Sequence, residues 1–437
     1  MAPPLGNIRA QTAQQGPEHE GTGSVEPIGP LPDLARRLPL RNRTRRIVSG
    51  AGLMRVLMIS SDWTIAVRDP EAGDTLERHV RYARALRRRF PDARIDVVVK
   101  APRSWSPQMR EIAEALHVHP VPCARAAFAA RALRVSTALA GRERLDVVTT
   151  QTPFDDGLVG VWLKRRHGVT LNVQMQSSFL DQPEWIRQRP VVYRLLNALG
   201  KWVAQRADTV RVVCQGEKAR LERRFPPLRR RLVCLHPLVN RVVFEEPVRD
   251  EEMEPMRAVL GRRGLAGARY ILFVGRLARE KNLPMLLQAF ALAIRDVPEG
   301  VLVVVGDGPR RGRLENLARR LGIGDRVIWP GAVPLRSLRG WYAASAGVVI
   351  PSLQEGFAKV VVESCLMERP VIATPFVSAR ELLSDGVTGF IAPDFRDAGW
   401  LAGRMVFLLR QPGAARAHLD RLIDIWSDTA ARSPRQS

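Results

Sequence analysis

Two cations stand close together after a stretch that reads as a buried strand. YILFVG (270–275) is followed by Arg276, Leu277, Ala278, Arg279, Glu280 and Lys281, and then by a helical pattern. Ligands of open α/β sheets gather outside the carboxyl ends of the strands, so Arg276 and Lys281 lie where an anion would meet two positive charges, a spacing suited to a diphosphate. Shielded from water, each charge-assisted bond is worth about 1.5–3 kcal/mol. Left in water the same residues are an ordinary charged loop, and the spacing alone allows both readings. A second feature follows VLVVV (301–305): Gly306, Asp307, Gly308 and Pro309, with Gly312 further on. The spacing is GxGxxxG, not GxGxxG, and no acidic residue closes the unit, which disfavours a nicotinamide dinucleotide; the P-loop pattern GxxxxGK[ST] does not occur. Gly306 and Gly308 read as a tight strand-to-helix turn, with or without a ligand beside it. Within PSLQEGFAKVVVESCLMERPVIAT, Glu355 and Glu363 are separated by seven residues around the start of a helical pattern. A carboxylate can accept two hydroxyl groups, although a lone glutamate is ordinarily a surface charge.

Other groups carry less. His117 and His119 form an HxH without a third ligand type nearby in sequence, which reads as loop or strand and not as a metal site. Asp155 and Asp156 precede a helical pattern and read as N-cap residues. Lys218, in CQGEKARLERRF, reads as part of a solvated helix face. No DxD motif for a bridging divalent ion is found, so no metal is expected in the chemistry.

The elements that would position these groups alternate between short β-branched runs and amphipathic stretches, the pattern of parallel sheets flanked by helices. RVLMIS (55–60), IDVVV (95–99), DVVTT (146–150), TLNVQM (170–175) and TVRVVC (209–214) form one series. YILFVG, VLVVV, RVIW (326–329), GVVI (347–350), PVIAT (370–374) and GFIAP (389–393) form a second. Between them the pattern lapses around 236–265, with prolines and an acidic cluster. Residues 76–90 read as a helix with Leu76, Val80, Ala83 and Leu86 on one face and Arg81, Arg84 and Arg88 opposite. Segment 190–206 puts Val192, Leu195, Leu196, Leu199 and Trp202 on one side, which reads as core-facing or, failing that, as membrane-facing. Two doubly wound domains in tandem follow: a disordered extension at 1–53, with Met54 as an alternative start; a first domain at 54–245; a linker at 246–265; a second domain at 266–395; and a helical tail at 396–437.

Composition bounds the partners. Of 437 residues, 46% are hydrophobic and 26% charged, ordinary globular values. The four cysteines are scattered without a CxxC pair, which argues against a disulfide framework or a zinc site and fits a reducing compartment. No run of about 18 apolar residues and no leader-like apolar segment near Met1 is seen, so a cytoplasmic protein is expected. The net charge is +24, and residues 54–250 alone hold 35 basic against 21 acidic side chains. Such a field favours phosphate-bearing partners: nucleic acid, an anionic bilayer or a nucleotide-activated metabolite. Nucleic acid fits poorly, because basic motifs interleaved with aromatics are lacking.

With VGRLAREKN, GDGP, the Glu355–Glu363 stretch and ELLSDGVTGFIAP in that order, residues 270–393 resemble the donor-nucleotide domain of retaining glycosyltransferases of family 4 (group 1), which have the GT-B fold. Residues 54–245 resemble the same family more weakly. The resemblance implies that Arg276 and Lys281 bind the donor diphosphate, that Glu355 holds hydroxyls of the transferred sugar and that Glu363 holds the ribose. It implies further that the amides of Gly356, Phe357 and Ala358 open a helix towards the phosphates, with Gly306 beside the ligand. Gly73, in EAGDTLERHVRYARAL, is similar to the close-approach glycine of the first loop. Gln176 stands where the family usually has an active-site histidine, and Ala358 where it often has glycine.

What the resemblance implies in function is a metal-independent hexosyltransferase moving a sugar from a nucleoside diphosphate sugar to a hydroxyl acceptor, in surface polysaccharide or glycolipid assembly. No cofactor is expected; the sugar nucleotide is a substrate. The acceptor would be a sugar or a lipid-linked sugar, with peripheral contact at an anionic membrane. Glutamine cannot exchange a proton near neutral pH, so Gln176 would act by positioning alone. The rivals are an epimerase-like relative acting on the nucleotide sugar itself and a non-catalytic sugar-nucleotide-binding protein.

Overall fold

The computed structural model describes residues 53–67, 75–237, 239, 241–386 and 389–411. The expectations for residues 1–52, for Gly73 and for the tail beyond 411 lie outside the described residues. The first sheet has eight strands: β1 (Arg55–Ser60), β2 (Arg94–Ala101), β3 (Arg110–Ala113), β4 (Leu116–Pro122), β5 (Val147–Thr150), β6 (Thr170–Met175), β7 (Thr209–Val212) and β8 (Leu232–Cys234), in the order β3-β4-β2-β1-β5-β6-β7-β8. All neighbours are parallel except β3 and β4. Four helices cover it: α1 (Thr75–Arg89), α2 (Phe128–Arg142), α3 (Asp155–His167) and α4 (Pro190–Ala204), with α5 (Gln215–Arg224) between β7 and β8.

After α6 (Asp250–Gly261) the second sheet runs through β9 (Tyr270–Val274), α7 (Leu283–Ala293), β10 (Val301–Val305), α8 (Arg311–Arg320), β11 (Val327–Gly331), α9 (Leu335–Ala344), β12 (Gly347–Ile350), α10 (Lys359–Leu366), β13 (Val371–Ala373), α11 (Ala379–Leu382), β14 (Phe390–Ile391) and α12 (Ala398–Arg410). Its order is β11-β10-β9-β12-β13-β14, all parallel. The central strands of both sheets are buried on both faces, which is why segments such as VLVVV and GVVI read as continuous apolar runs. Tyr270 and Leu272 enter one core while Ile271 and Phe273 enter the other, the period of two that a strand imposes.

Three differences from the sequence reading have physical causes. β3, β4 and β8 lie outside the strands the sequence predicts, because β4 (LHVHPVP) carries two prolines and two histidines, and β3 and β8 are only four and three residues long. Residues 250–261, expected within a linker, form α6, whose Met256 and Leu260 join the second core. Glu252 on α6 accepts from Arg339 on α9 at 2.8 and 2.9 Å, an ion pair buried between the two helices. The buried strip of α4 is Asn197, Gly200, Val203 and Ala204, one row away from the expected apolar face. Asn197 is drawn inward because its amide binds Asp181 at 2.7 Å and its carbonyl accepts from the Asp181 amide at 2.9 Å. Val191, Val192 and Leu195 are left exposed.

Candidate functional site

In each sheet the strand order reverses beside the first strand, between β1 and β5 and between β9 and β12. Loops leaving adjacent strands diverge there and open a crevice. The loop after β9 is held to the loop after β10 by main chain alone: Leu277 N–H donates to Asp307 O at 2.9 Å and Arg310 N–H to Leu277 O at 3.1 Å. Gly306 permits this. Its φ is +126°, and a Cβ on it would lie 2.0 Å from the Gly275 carbonyl oxygen. The Leu353 amide donates to Glu280 O at 2.8 Å, tying the loop after β12 to the same turn.

Lys281 and Glu355 meet at this junction. Lys281 Nζ donates to Glu355 Oε1 at 2.5 Å, and the Ser352 hydroxyl donates to the same oxygen at 2.7 Å. Both side chains are largely buried. Arg276 is not drawn into this pair; it is exposed and donates to Glu280 Oε1 at 2.6 Å. Burial pushes the Glu280 carboxyl up, but a backbone hydrogen bond and the charges of Arg276 and Lys281 outweigh it and hold the group below its usual range. Glu280 thus partners the outer cation, a role that REKN in sequence does not reveal.

Glu363 is buried on α10 and accepts from the Tyr342 hydroxyl at 2.9 Å. Burial, reinforced by Glu363, raises the Tyr342 hydroxyl well above its ordinary value, so it stays a donor. The expected helix start needs correction. α10 begins at Lys359, with Ala358 as its N-cap at φ −78°, ψ 84°, so Gly356 and Phe357 precede the helix. Alanine is unstrained at that φ, which is why glycine is not required there.

Segment 354–356 is instead held by the first domain. Gln354 Nε2 donates to Ser177 Oγ at 3.2 Å and to the Ser178 carbonyl. A Cβ on Gly356 would lie 2.0 Å from the Gln176 carbonyl oxygen, so only glycine allows this approach. Gln176, directly after β6, therefore faces the Glu355 turn across the cleft, with its side chain exposed. Also on the first domain, a buried polar group unread in sequence joins the switch point: the Ser60 hydroxyl donates to Gln151 Oε1 at 2.7 Å, and Gln151 Nε2 lies 3.3 Å from His79 Nε2.

The remaining candidates fall to structural roles. His119 Nε2 lies 2.7 Å from Asp96, and both histidines of the HxH are strand residues of β4. Asp155 is the first residue of α3, not its N-cap, which is Phe154. Asp156 is fully buried, and its Oδ2 accepts from the Thr152 amide at 2.7 Å. Lys218 faces Glu222 at 3.7 Å one turn along α5.

Residues 268–411 match the family described as Glycosyl transferases group 1, and residues 79–237 match the Glycosyl transferase 4-like domain. Over 241 residues the chain is 30% identical to an alpha-D-kanosaminyltransferase of Streptomyces kanamyceticus, covering 54% of this chain and 60% of that one. Over 271 residues it is 28% identical to an alpha-monoglucosyldiacylglycerol synthase of Streptococcus pneumoniae, covering 60% and 59%. The chain thus spans about three-fifths of the length of these relatives. Among solved structures, the sucrose-phosphate synthase of Thermosynechococcus elongatus superposes with a TM-score of 0.70 at 21% identity, covering 87% of this chain and 97% of that one.

Proposed function

The chain belongs to the group 1 glycosyltransferases and has their GT-B fold, and on that premise we propose that it is a retaining hexosyltransferase. It moves a hexosyl unit from a nucleoside diphosphate sugar to a hydroxyl of a sugar or lipid-linked acceptor, in surface polysaccharide or glycolipid assembly. The observation that carries this reading is the Lys281–Glu355 pair at the switch point of the second sheet, faced across the cleft by Gln176. Lys281 and Arg276 hold the diphosphate, Glu355 the sugar hydroxyls and Glu363 the ribose. Gly306 and the amides of Gly356, Phe357 and Ala358 lie against the phosphates.

As the bond from the anomeric carbon to the phosphate oxygen breaks, negative charge grows on the leaving diphosphate, and preorganised cations stabilise that charge more than they stabilise the bound donor. These cations supply what a divalent ion would, so transfer persists in a chelator. The acceptor hydroxyl attacks on the face the diphosphate leaves, and its proton passes to the departing phosphate oxygen. Gln176 orients the acceptor and exchanges no proton.

A lipid-linked acceptor is supported by a relative named for a glycolipid product and by α4. Exposed Val191, Val192 and Leu195 lie beside Arg187, Arg189 and Arg194, an apolar strip with a basic margin suited to an anionic membrane surface. No helix of the described residues is long and apolar enough to cross a membrane. A second reading, a sugar-nucleotide-binding protein without turnover, is favoured by Gln176 alone. Incubation with sugar nucleotides and lipid-linked or sugar acceptors tests both: glycosylated product with the donor's anomeric configuration supports the proposal. Binding without transfer or hydrolysis supports the second reading, and epimerised donor formed without acceptor refutes both.

A further inference from the structure

Where β8 ends, the chain turns towards the second domain, and three side chains of metal-ligand type converge there. Cys234 closes β8, His236 follows two residues on, and Glu381 lies on α11 of the opposite domain. Their donor atoms all lie within 4.8 Å of one another. Cys234 Sγ is 3.8 Å from His236 Nε2, and that nitrogen is 2.6 Å from Glu381 Oε1. A tetrahedral zinc ion, with bonds of about 2.3 Å to sulfur and about 2.0–2.1 Å to nitrogen and oxygen, spaces its ligand atoms roughly 3.3–3.6 Å apart. The sulfur and nitrogen already stand close to that spacing, and the carboxylate oxygen has to retreat by less than about 1 Å.

Glu381 is oriented for this. Its other oxygen, Oε2, accepts from the Gln215 amide at 2.7 Å and the Gly216 amide at 3.3 Å, the first amides of α5, which leaves Oε1 turned to His236. Such outer hydrogen bonds fix a ligating group before the ion arrives. The His236 ring is steadied against Phe357 at 5.2 Å between centroids. A thiol, an imidazole and a carboxylate together select a transition ion such as zinc over magnesium or calcium.

We propose that Cys234, His236 and Glu381 form a zinc-type site that bridges the two domains, with water as the fourth ligand. Two ligands come from the first domain and one from the second, so a bound ion holds the cleft closed. Product release requires the cleft to open, and zinc therefore slows turnover without entering the transfer chemistry. None of the three ligands is a residue proposed to bind the donor, although the His236 ring packs on Phe357, whose amide is assigned to the phosphates; the direct readout is metal binding and does not depend on that activity.

The test is cobalt titration of the full chain after chelator treatment. The expected result is one cobalt per chain, with a thiolate-to-metal charge-transfer band and intense visible bands of a tetrahedral ion, displaced by zinc. Cys234→Ser loses the charge-transfer band, and His236→Gln and Glu381→Gln each weaken cobalt binding by at least about 10-fold. Zinc lowers kcat of the wild type but not of Glu381→Gln. Absence of the thiolate band, its persistence in Cys234→Ser, or wild-type affinity in Glu381→Gln overturns the proposal and leaves a hydrogen-bonded contact between domains. Glu381→Gln keeps the test decisive should the cysteine variant fail to fold, because its side chain belongs to the other domain.

Discussion

Replacing Lys281 by alanine should weaken nucleoside diphosphate binding, whereas replacing Glu355 by glutamine should leave it unchanged or strengthen it. Lys281 Nζ lies 2.5 Å from Glu355 Oε1, with 20% and 12% of the two side chains exposed. At an effective dielectric constant of 20 two unit charges at that distance attract by about 7 kcal/mol. Withdrawing both from water cancels most of this, and a pair so far buried retains a net of about 1–3 kcal/mol. A diphosphate arriving at Lys281 shares the ammonium with that carboxylate. Lys281→Ala deletes one charge-assisted bond, about 1.5–3 kcal/mol, or roughly 10–150-fold in Kd, and leaves the Glu355 charge facing the phosphate. Glu355→Gln keeps an acceptor for the Ser352 hydroxyl but removes the competing charge, so the diphosphate binds as well as before or tighter. Isothermal titration with the nucleoside diphosphate, without its sugar, isolates this effect from any contact of Glu355 with the hexose. Turnover with the complete donor should nonetheless fall about 100-fold or more in Glu355→Gln, because its contact to the sugar is lost. Wild-type affinity in Lys281→Ala, or equal weakening in both variants, refutes the reasoning.

Tyr342→Phe removes the donor that Glu363 accepts at 2.9 Å in a buried setting, and urea denaturation should show a loss of about 1–3 kcal/mol, while Glu363→Ala should weaken donor binding at least 10-fold in the same range of bond energies. Gly356→Ala drives a Cβ to 2.0 Å from the Gln176 carbonyl; circular dichroism should stay unchanged while kcat/KM falls about 100-fold, since a misplacement of about 1 Å is enough for that. Val191→Asp with Leu195→Asp alters side chains that are 72% and 68% exposed, so the melting temperature should hold while salt-sensitive sedimentation with anionic liposomes is lost. Burial pushes the Asp96 carboxyl up, yet His119 at 2.7 Å and Arg94 at 2.8 Å pull it below the ordinary value of 3.8. The unfolded chain therefore binds the proton more readily; the stability Asp96 contributes is complete above that ordinary value and is lost as pH falls through the depressed one, and Asp96→Asn should flatten the acid limb of a stability–pH curve.

The alternation of apolar runs and amphipathic stretches made both sheets legible, because strands buried on two faces need a nearly continuous apolar sequence, as VLVVV and GVVI have. Strand β4 escaped because its register is set by neighbours, with Asp96 recruiting His119, and not by its own composition. On α4, periodicity marked the apolar side correctly but not the buried one; a glycine and an asparagine pack closer than the leucines do. At the site, the charged residues and their order were readable from spacing and resemblance. Their partners were not, since Glu280 for Arg276, Tyr342 for Glu363 and Ser352 for Glu355 are chosen by tertiary proximity. The Gln176–Gly356 approach joins residues of different domains, and no local pattern could announce it.

A crystal structure of the chain with a nucleoside diphosphate bound tests the central claim most directly. The expected result is a phosphate oxygen within about 3.2 Å of Lys281 Nζ, with the ribose hydroxyls at Glu363 and Arg276 swung from Glu280 towards the diphosphate. A nucleotide bound away from both the 276–281 turn and the 355–363 segment would contradict it.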